Sequence, residues 1–479
     1  MNKSILDPIE QSAVKYSDQT AVLHADQKIT YAQLNRMVNA AADFLSKEGI
    51  KAKERVAFYD HNSLEYVVCL FALFRLEAVG CCLNFRDPLE IFSQNIKDLG
   101  VTFIITNNRE VLFDKKLLPK RIELDQILSN LKDISTDFDN KGIVYDNDQP
   151  ATVIYTSGSS AQPKAVVHSI ANYHYSALAS QDHIPVTSDT RWLLSLPLYH
   201  VGAQALLWRT FSFGGTLVIA DTAQSLNLAL VHYQVTHLSC VATQLWRLIQ
   251  AKTSLKYLKA ILLGGGPVQE NLKTLYKSLH LPIYISYGLT ETTSQVATSK
   301  REEGTVYPLK YVELKINDDH EILLKGKTLC LGYLSDGTIV HPVDDQGWFH
   351  TKDLGKYDKE QGLSIFGRKD NMFVSGGENI QPEEIEACLH NIREVERGII
   401  VALEHEEYGF RPAAFVEFKP GASLSALQIT NELEKFLPKF KIPDQYFEWP
   451  HTQEEALKVQ RPYFEKLVKQ DFHILKQIP

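Results

Sequence analysis

An apolar strand and a loop rich in hydroxyl groups follow one another in Thr152-Val153-Ile154-Tyr155-Thr156-Ser157-Gly158-Ser159-Ser160-Ala161-Gln162-Pro163-Lys164. Hydroxyl groups, backbone N–H groups and an ammonium group within one loop can surround phosphate oxygens. The spacing G-x-x-x-x-G-K-[ST] is absent, which argues against a P-loop NTPase. A polar turn rich in serine and glycine has the same composition, so the loop alone leaves both interpretations open.

Apolar strands alternate with helices on both sides of this loop. We expect a helix that begins at Thr30 with a capping box completed by Gln33, continues with apolar residues at helical spacing and ends at Gly49. A second helix is expected over 63–76, and strands over 55–59, 78–84, 101–106, 217–219, 260–263 and 283–285. This alternation is typical of right-handed β-α-β units in layered sheets and predicts an α/β fold.

The pattern changes near residue 305. Short strands separated by turn pairs predict an antiparallel β region over 312–366. A compact charged segment follows, and then a short α+β stretch with a helix that begins at Pro382 and another over 462–470. We therefore expect a large N-terminal domain (1–368), a hinge at 369–371 and a small α+β C-terminal domain (372–479).

Charge and composition argue against several classes of protein. The 479 residues include 50 Lys and Arg and 58 Asp and Glu, which gives a formal net charge of −8 and makes sequence-independent nucleic-acid binding a poor hypothesis. No apolar run approaches the ~20 residues that a membrane span requires. The six cysteines are scattered without a C-x-x-C pair, as in proteins of a reducing compartment. We expect a cytoplasmic protein with no nucleic-acid partner and no membrane span.

Seven segments in order resemble one family. The hydroxyl loop resembles the phosphate loop T-S-G-[ST]-[ST]-G-x-P-K-G of the adenylate-forming superfamily, which contains acyl-CoA synthetases, luciferases and peptide-synthetase adenylation domains. Ala161 and Ala165 replace two of its glycines. Residues 262–267 resemble the superfamily's Gly-rich adenine turn, and residues 287–292 resemble its motif Y-G-x-T-E. Alone, the first would be a tight strand-to-helix turn and the second a helix start.

The remaining matches lie further along the chain. Residues 348–355 resemble W-x-x-T-G-D-x-G, with Lys352 at the glycine, and residues 367–370 match G-R-x-D. Residues 375–380 resemble the mobile loop that lines the CoA tunnel. Residues 456–461 align with the terminal G-K-[IV]-x-R, although the glycine is absent. Without the family, Asp353 would be read as a turn residue and Lys458 as a solvated surface lysine.

The resemblance implies a set of functional residues. Glu291 would hold Mg²⁺, Lys458 would be the catalytic lysine, and Asp370 would be the hinge about which a mobile C-terminal domain turns between adenylation and thioester formation. CoA would contact Ser375, Gly376 and Gly377. ATP and AMP would contact Thr156, Ser157, Gly158, Ser159, Ser160, Lys164, Gly264, Gly265, Gly266, Tyr287, Gly288, Thr290, Asp353 and Arg368.

One subgroup matches in the expected acyl pocket. Residues 194–209, 163–168 and 243–247 resemble the o-succinylbenzoate–CoA ligases of menaquinone biosynthesis, in which an alanine at position 165 is normal. Gly202 and Ala205 lie on the helical face of Arg209 and leave room for a ligand. Arg209 would face the benzoate group, with an arginine packed on the domain surface as the alternative. The acyl residues implied are His200, Gln204, Arg209 and Thr292.

His200 is also a catalytic candidate. It would shape the pocket and gate the carboxylate, because a carboxylate needs no base to attack. Whether His200 or solvent takes the proton of the CoA thiol stays open.

The sequence therefore predicts an enzyme, an ATP-dependent o-succinylbenzoate–CoA ligase of the AMP-forming class. Its partners would be a small carboxylic acid, ATP and CoA, with Mg²⁺ as the metal ion. Two alternatives remain: a CoA ligase for another aryl or short-chain acid, and a non-catalytic adenylate-binding module. A homo-oligomer is left open.

Overall fold

The computed structural model describes residues 4–25, 27–87, 89–108, 119–129, 142–156, 163–221, 224–266, 268, 270–299, 305–375, 378–406, 408–450, 461–470, 472 and 475–479. Within these residues, the helices are α1 (Pro8–Lys15), α2 (Tyr31–Lys47), α3 (Leu64–Arg75), α4 (Leu89–Asp98), α5 (Leu124–Ser129), α6 (Ile170–Gln181), α7 (Val201–Ser212), α8 (Leu226–His232), α9 (Ala242–Gln250), α10 (Glu270–Ser278), α11 (Pro382–His390), α12 (Ala426–Leu433) and α13 (Arg461–Gln470).

The strands of the first half of the chain are short and mostly buried. They are β1 (Ser4–Leu6), β2 (Thr20–His24), β3 (Gln27–Thr30), β4 (Arg55–Phe58), β5 (Val79–Cys82), β6 (Phe103–Ile105), β7 (Lys120–Ile122), β8 (Val144–Asp146), β9 (Pro150–Tyr155), β10 (Ala165–Ser169), β11 (Arg191–Leu193), β12 (Thr216–Ile219), β13 (His237–Cys240), β14 (Ala260–Leu263) and β15 (Ile283–Tyr287).

The later strands include longer hairpins. They are β16 (Ala297–Ser299), β17 (Val306–Pro308), β18 (Val312–Ile316), β19 (Glu321–Gly326), β20 (Gly332–Ser335), β21 (Thr338–Val340), β22 (Phe349–Asp358), β23 (Gly362–Arg368), β24 (Phe373–Ser375), β25 (Glu378–Ile380), β26 (Val395–His405), β27 (Gly409–Phe418) and β28 (Gln445–Glu448).

Two large sheets organise residues 20–368. One has eight strands in the order β21-β20-β10-β9-β5-β4-β6-β7, and the other has thirteen in the order β18-β19-β22-β23-β17-β16-β15-β14-β13-β11-β12-β2-β3. Strands β9, β5, β4, β6 and β7 of the first sheet are parallel, as are β2, β12, β11, β13, β14 and β15 of the second. The predicted α/β architecture is confirmed.

Helices α2, α3 and α7 lie between these sheets. Their apolar residues form one cluster with Val56 of the first sheet and Leu217 of the second. The capping box predicted at Thr30 is present and begins α2. The strand predicted over 78–84 is shorter than expected, because only residues 79–82 pair with β4 and β9.

The predicted antiparallel region forms one end of the thirteen-stranded sheet. Strands β18, β19, β22 and β23 pair antiparallel with register shifts in β19 and β22. A 3-10 turn at Lys369–Asn371 then leads to a separate five-stranded sheet, which α11, α12 and α13 accompany. Two apolar clusters of this part contain only residues from 373–478. The chain thus leaves the large sheet where the sequence predicts a hinge, and the division into domains stays a prediction.

Candidate active site

Three segments follow parallel strands of the thirteen-stranded sheet. Residues 194–200 follow β11, residues 264–266 follow β14, and residues 288–292 follow β15. The carboxyl ends of parallel strands lie at one edge of a sheet, and this edge is where α/β proteins bind ligands. The topology therefore brings the predicted acyl segment and two predicted nucleotide segments together.

The glycines of the turn after β14 allow its backbone to lie close to other atoms. A Cβ atom on Gly264 would lie 2.8 Å from Ser286 Oγ, and Gly265 has a φ of +86°. Around Gly266 nothing lies within 4 Å of such a Cβ atom. The turn is thus tight on its sheet side and open at Gly266, as a surface for a flat ring requires.

A buried carboxylate joins β15 to β22 and β23. The hydroxyl of Tyr287 donates to Asp353 Oδ2 at 2.6 Å, and Arg368 Nη1 donates to Asp353 Oδ1 at 2.9 Å. Burial raises the pKa of Asp353, although both partners act to lower it. A carboxylate oxygen can accept two hydrogen bonds, so Asp353 retains capacity for the hydroxyl groups of a sugar.

The segment after β15 folds back on itself. A Cβ atom on Gly288 would lie 1.4 Å from the carbonyl oxygen of Ser294, so this position requires glycine. Thr293 and Ser294 have φ angles of 53° and 87°, which are unfavourable for residues with a side chain. The hydroxyl of Thr292 is buried and bonds with the backbone of Leu289. Strain of this kind is typical of functional sites.

Glu291 is the carboxylate predicted to hold Mg²⁺. Its Oε1 atom accepts a hydrogen bond of 2.7 Å from the hydroxyl of Tyr333. Burial raises the pKa of Tyr333, and the charge of Glu291 raises it further, so the phenol is a donor at neutral pH. No cluster of three His, Cys, Asp or Glu side chains suited to a metal ion occurs among the described residues. A carboxylate with one oxygen that accepts no hydrogen bond from a described residue suits Mg²⁺ that is bound mainly by substrate phosphates.

The ends of the predicted phosphate loop are held together. The amide of Thr156 donates to the carbonyl of Lys164 at 2.9 Å, and the amide of Lys164 donates to Thr156 Oγ1 at 3.1 Å. The ammonium group of Lys164 lies 4.6 Å from the centre of the Tyr333 ring. Residues Ser157, Gly158, Ser159 and Ser160 lie outside the described residues, and their contacts with ATP stay a prediction.

His168 links this loop to the Thr290 segment. Its Nε2 atom lies 2.7 Å from the carbonyl oxygen of Thr290 and is therefore the protonated ring nitrogen. Burial lowers the pKa of His168 to about 4, so the ring is neutral at physiological pH. The contact fixes the backbone of Thr290 against β10, the strand that follows the predicted phosphate loop.

Helix α7 carries the predicted acyl residues. His200 is exposed and lies directly before the helix. Gln204 is buried: its Oε1 atom accepts from Tyr173 at 2.5 Å, and its Nε2 atom donates to Leu198 at 2.7 Å. These bonds hold the segment before α7 against α6, and the acyl contact of Gln204 stays a prediction.

Arg209 is almost completely buried. Arg209 is 1% exposed, so the alternative, an arginine packed on the domain surface, is wrong. Its Nη2 atom lies 3.5 Å from Ser176 Oγ, and the hydroxyl of Ser176 donates to the carbonyl of Thr293. Burial lowers the pKa of Arg209 to about 9, which leaves it charged at neutral pH. Among the described residues, no carboxylate forms an ion pair with it.

The C-terminal candidates lie in two places. Asp370 is in the 3-10 turn and accepts contacts from Lys352 at 3.1 Å and Arg368 at 3.5 Å. Ser375 is buried and accepts from Arg411 at 3.3 Å. Lys458, Gly376 and Gly377 lie outside the described residues. The predicted roles in catalysis, CoA binding and rotation stay predictions.

Comparison with known proteins shows the family of this chain. Residues 9–334 match the family described as AMP-binding enzyme, which is more than half of the chain. The chain belongs to the AMP-binding enzyme family. This confirms the resemblance to adenylate-forming enzymes.

Relatives of this AMP-binding enzyme share nearly its whole length. The chain is 34% identical to the 2-succinylbenzoate–CoA ligase of Haemophilus influenzae over 440 residues, which cover 90% of this chain and 91% of the relative. It is similar to the structure of o-succinylbenzoate CoA synthetase from Bacillus subtilis in complex with the acyl-adenylate intermediate OSB-AMP, with a TM-score of 0.85, 26% identity and 99% of each chain covered. The same Bacillus subtilis enzyme in complex with ATP and magnesium ion gives a TM-score of 0.83 and 27% identity over 93% of this chain and 96% of that one.

The sequence does not predict a function for two residues of this site. Tyr333 lies in a turn-rich region with no motif of its own, and His168 lies within an apolar strand. Both reach the site through pairing between elements that are far apart in the chain.

In the part of the chain that the structure describes, no helix is both long and apolar enough to cross a membrane.

Proposed function

We propose that this chain is an ATP-dependent o-succinylbenzoate–CoA ligase, which adenylates the aliphatic carboxylate and then transfers the acyl group to the thiol of CoA. The observation that carries the proposal is the buried guanidinium of Arg209. It contacts Ser176, which donates to the carbonyl of Thr293 directly after the Thr290–Thr292 turn, and it has no ion-pair partner among the described residues.

A buried charge requires a partner. Leaving one buried member of an ion pair without its partner costs about 3–5 kcal/mol. A second carboxylate on the substrate would compensate Arg209, either directly or through a water molecule. An acid with only one carboxylate offers no such partner, because that group reacts at the nucleotide. The preference for a dicarboxylic aromatic acid follows.

In the first step, an oxygen of the aliphatic carboxylate forms a bond to the α-phosphorus of ATP, and the bond from that phosphorus to the bridging oxygen breaks and releases pyrophosphate. Lys164 and Thr156 would contact the phosphates. Tyr287, Asp353 and Arg368 would hold the nucleoside. Mg²⁺, which Glu291 would hold together with the phosphates, would supply positive charge at the phosphate oxygens when bound.

In the second step, the sulfur of the deprotonated CoA thiol forms a bond to the acyl carbon, and AMP leaves with the electron pair of the broken C–O bond. Lys458 would serve the first step and move away for the second as the C-terminal domain turns at Asp370. Arg461, which ends the motif that contains Lys458, is held in place by contacts of its guanidinium with Glu386 at 2.7 and 3.1 Å.

The test is pyrophosphate exchange into ATP with a panel of acids. We expect o-succinylbenzoate to support exchange with a kcat/KM about 10²-fold above that of 4-oxo-4-phenylbutanoate, which has the same skeleton without the benzoate carboxylate. A preference for that monoacid, benzoate or a fatty acid would overturn the assignment of the substrate. Absence of exchange with every acid would favour the adenylate-binding module. A cytoplasmic location stays part of the proposal.

A further inference from the structure

Strand β20 touches both sides of the predicted phosphate site. The residues just before it donate two backbone hydrogen bonds, from Cys330 to the carbonyl of Glu291 at 2.7 Å and from Leu331 to the carbonyl of Val167 at 2.9 Å. Tyr333 then pairs with Val166 of β10. One short strand is therefore tied to the carboxylate segment on one side and to the base of the phosphate loop on the other.

The position of Tyr333 within this strand is closely determined. Gly332 has a φ of +148°, and a Cβ atom there would lie 2.3 Å from the carbonyl oxygen of Val340 in β21. Tyr333 itself pairs with Val340. The hairpin of β20 and β21 thus packs closely at Gly332 and fixes the direction from which the Tyr333 side chain enters the site.

The Tyr333 side chain makes two contacts with predicted ligand-binding residues. Its hydroxyl donates to Glu291 Oε1 at 2.7 Å, and its ring lies under the ammonium group of Lys164 at 4.6 Å. Hydrogen bonds to a carboxylate are stronger than neutral ones, and an ammonium group is attracted to the face of an aromatic ring. Glu291 Oε2 accepts no hydrogen bond from any residue that the structure describes. One oxygen of the carboxylate is thus fixed, while the other is left for a ligand.

We propose that Tyr333 is a positioning residue that orients the carboxylate of Glu291 for magnesium-bound ATP and holds Lys164 beside the same phosphates. Glutamate has three rotatable side-chain bonds, so a free carboxylate would lose conformational entropy when it binds a metal ion. The hydroxyl of Tyr333 holds the carboxylate in place before the nucleotide arrives. This role rests on the nucleotide-binding part of the proposed function and is independent of which acid the enzyme activates.

The two contacts can be separated by substitution. Tyr333→Phe removes the hydroxyl and keeps the ring, while Tyr333→Leu removes both. Tyr307→Phe is the matched control, because its hydroxyl donates to the carbonyl of Glu360 and not to a residue of the site. Calorimetric titration of ATP with magnesium and with EDTA measures binding without any acid or turnover.

For Tyr333→Phe we expect the affinity for ATP in EDTA to stay within about twofold of the unsubstituted protein, while the affinity in magnesium falls about tenfold. For Tyr333→Leu we expect a further loss of about threefold that is also present in EDTA, because Lys164 loses its support. Tyr307→Phe should change neither affinity.

Equal affinities of Tyr333→Phe and the unsubstituted protein in magnesium would overturn the proposal. Equal losses with magnesium and with EDTA would also overturn it, since they would indicate a merely structural role.

Combining Tyr333→Phe with Glu291→Gln provides a second test that does not depend on the folding of one variant. The tyrosine substitution should cause no further loss of magnesium-dependent affinity in the Glu291→Gln background, and a full additional tenfold loss there would contradict the coupling. The two proposals can fail separately. If no acid supports pyrophosphate exchange, the proposed function is wrong, but the measured affinities for ATP still decide whether Tyr333 positions Glu291.

Discussion

The ammonium group of Lys352 lies 3.1 Å from a carboxylate oxygen of Asp370, the residue at which we expect the C-terminal domain to turn. Lys352 occupies the position of a glycine in the superfamily motif, and it keeps the left-handed backbone with a φ of 62°. Its amide also donates to Glu321 Oε1 at 2.9 Å. An unfavourable backbone conformation is thus held by two carboxylates, one of which belongs to the predicted hinge.

Substitution of Lys352 should separate backbone strain from the ion pair. A residue with a side chain in the left-handed region costs about 1–2 kcal/mol, while an exposed ion pair contributes at most about 1 kcal/mol. We therefore expect Lys352→Gly to be more stable than Lys352→Ala by about 1 kcal/mol in urea unfolding. Lys356, on the same strand with an ordinary backbone, is the control, because glycine should be less stable than alanine there. Equal stability of the two Lys352 variants would show that the φ angle carries no strain.

Arg209→Met should remove the preference for a dicarboxylic acid. Methionine fills the buried space without charge, so the benzoate carboxylate would be left without a partner. We expect kcat/KM for o-succinylbenzoate to fall about 10²-fold and that for 4-oxo-4-phenylbutanoate to change less than about threefold. Arg191→Met, which replaces an arginine that donates to the carbonyl of Tyr233, should leave the ratio unchanged. Equal losses for both acids would remove Arg209 from the acyl site.

Stability should fall in mild acid because of buried neutral histidines. Burial lowers the pKa of His168, His237 and His390 to about 4, while an unfolded histidine titrates near 6.5. Between these values the unfolded chain binds more protons than the folded one, so stability is complete above about pH 6.5 and decreases as the pH falls toward 4. Each histidine accounts for about 2 kcal/mol between pH 7 and pH 5.

His390→Gln isolates one of these contributions. His390 Nε2 accepts from the amide of Gly398 at 3.2 Å, and a glutamine oxygen can accept in its place. Urea unfolding at pH 7 and pH 5 should show that the variant loses about 2 kcal/mol less than the unsubstituted protein. An identical loss in both proteins would indicate that His390 is protonated in the folded state.

Lys458→Ala should separate the two half-reactions. If the lysine neutralises charge only during adenylation, formation of acyl-AMP should fall about 10²–10³-fold, while conversion of supplied acyl-AMP to the thioester should stay within about threefold. Lys469→Ala, at an exposed position of α13, is the control. Rapid-quench measurement of each half-reaction provides both rates. Loss of both rates to the same extent would contradict the rotation at Asp370.

The fold follows largely from local sequence patterns. The capping box at Thr30, the buried parallel strands and the early proline of α11 each arise from residues that are neighbours in the chain. Such patterns depend on short-range hydrogen bonds and on periodicity, which a sequence displays directly. The order of the motifs then predicts which strand ends meet.

The remaining features depend on distant pairing or on burial. Tyr333 reaches Glu291 because β20 pairs with β10, and no periodicity in the sequence indicates that register. The sequence allowed two interpretations of Arg209, a residue of the acyl pocket or a residue of the domain surface. An arginine on an amphipathic helix suits both, and only the packing of α6 against α7 shows that it is buried. The sequence shows that Lys352 replaces the glycine of the motif, but it does not show that Lys352 adopts the left-handed backbone conformation.

In the proposed reaction, the aliphatic carboxylate is activated while the benzoate stays bound and unreacted. Its most direct test uses o-succinylbenzoate labelled with oxygen-18 in one carboxylate at a time, followed by mass spectrometry of AMP after reaction with ATP and CoA. Substrate labelled in the aliphatic carboxylate should transfer one labelled oxygen to AMP, and substrate labelled in the benzoate should transfer none. Labelled AMP from the benzoate-labelled substrate, or unlabelled AMP from the other, would contradict the account.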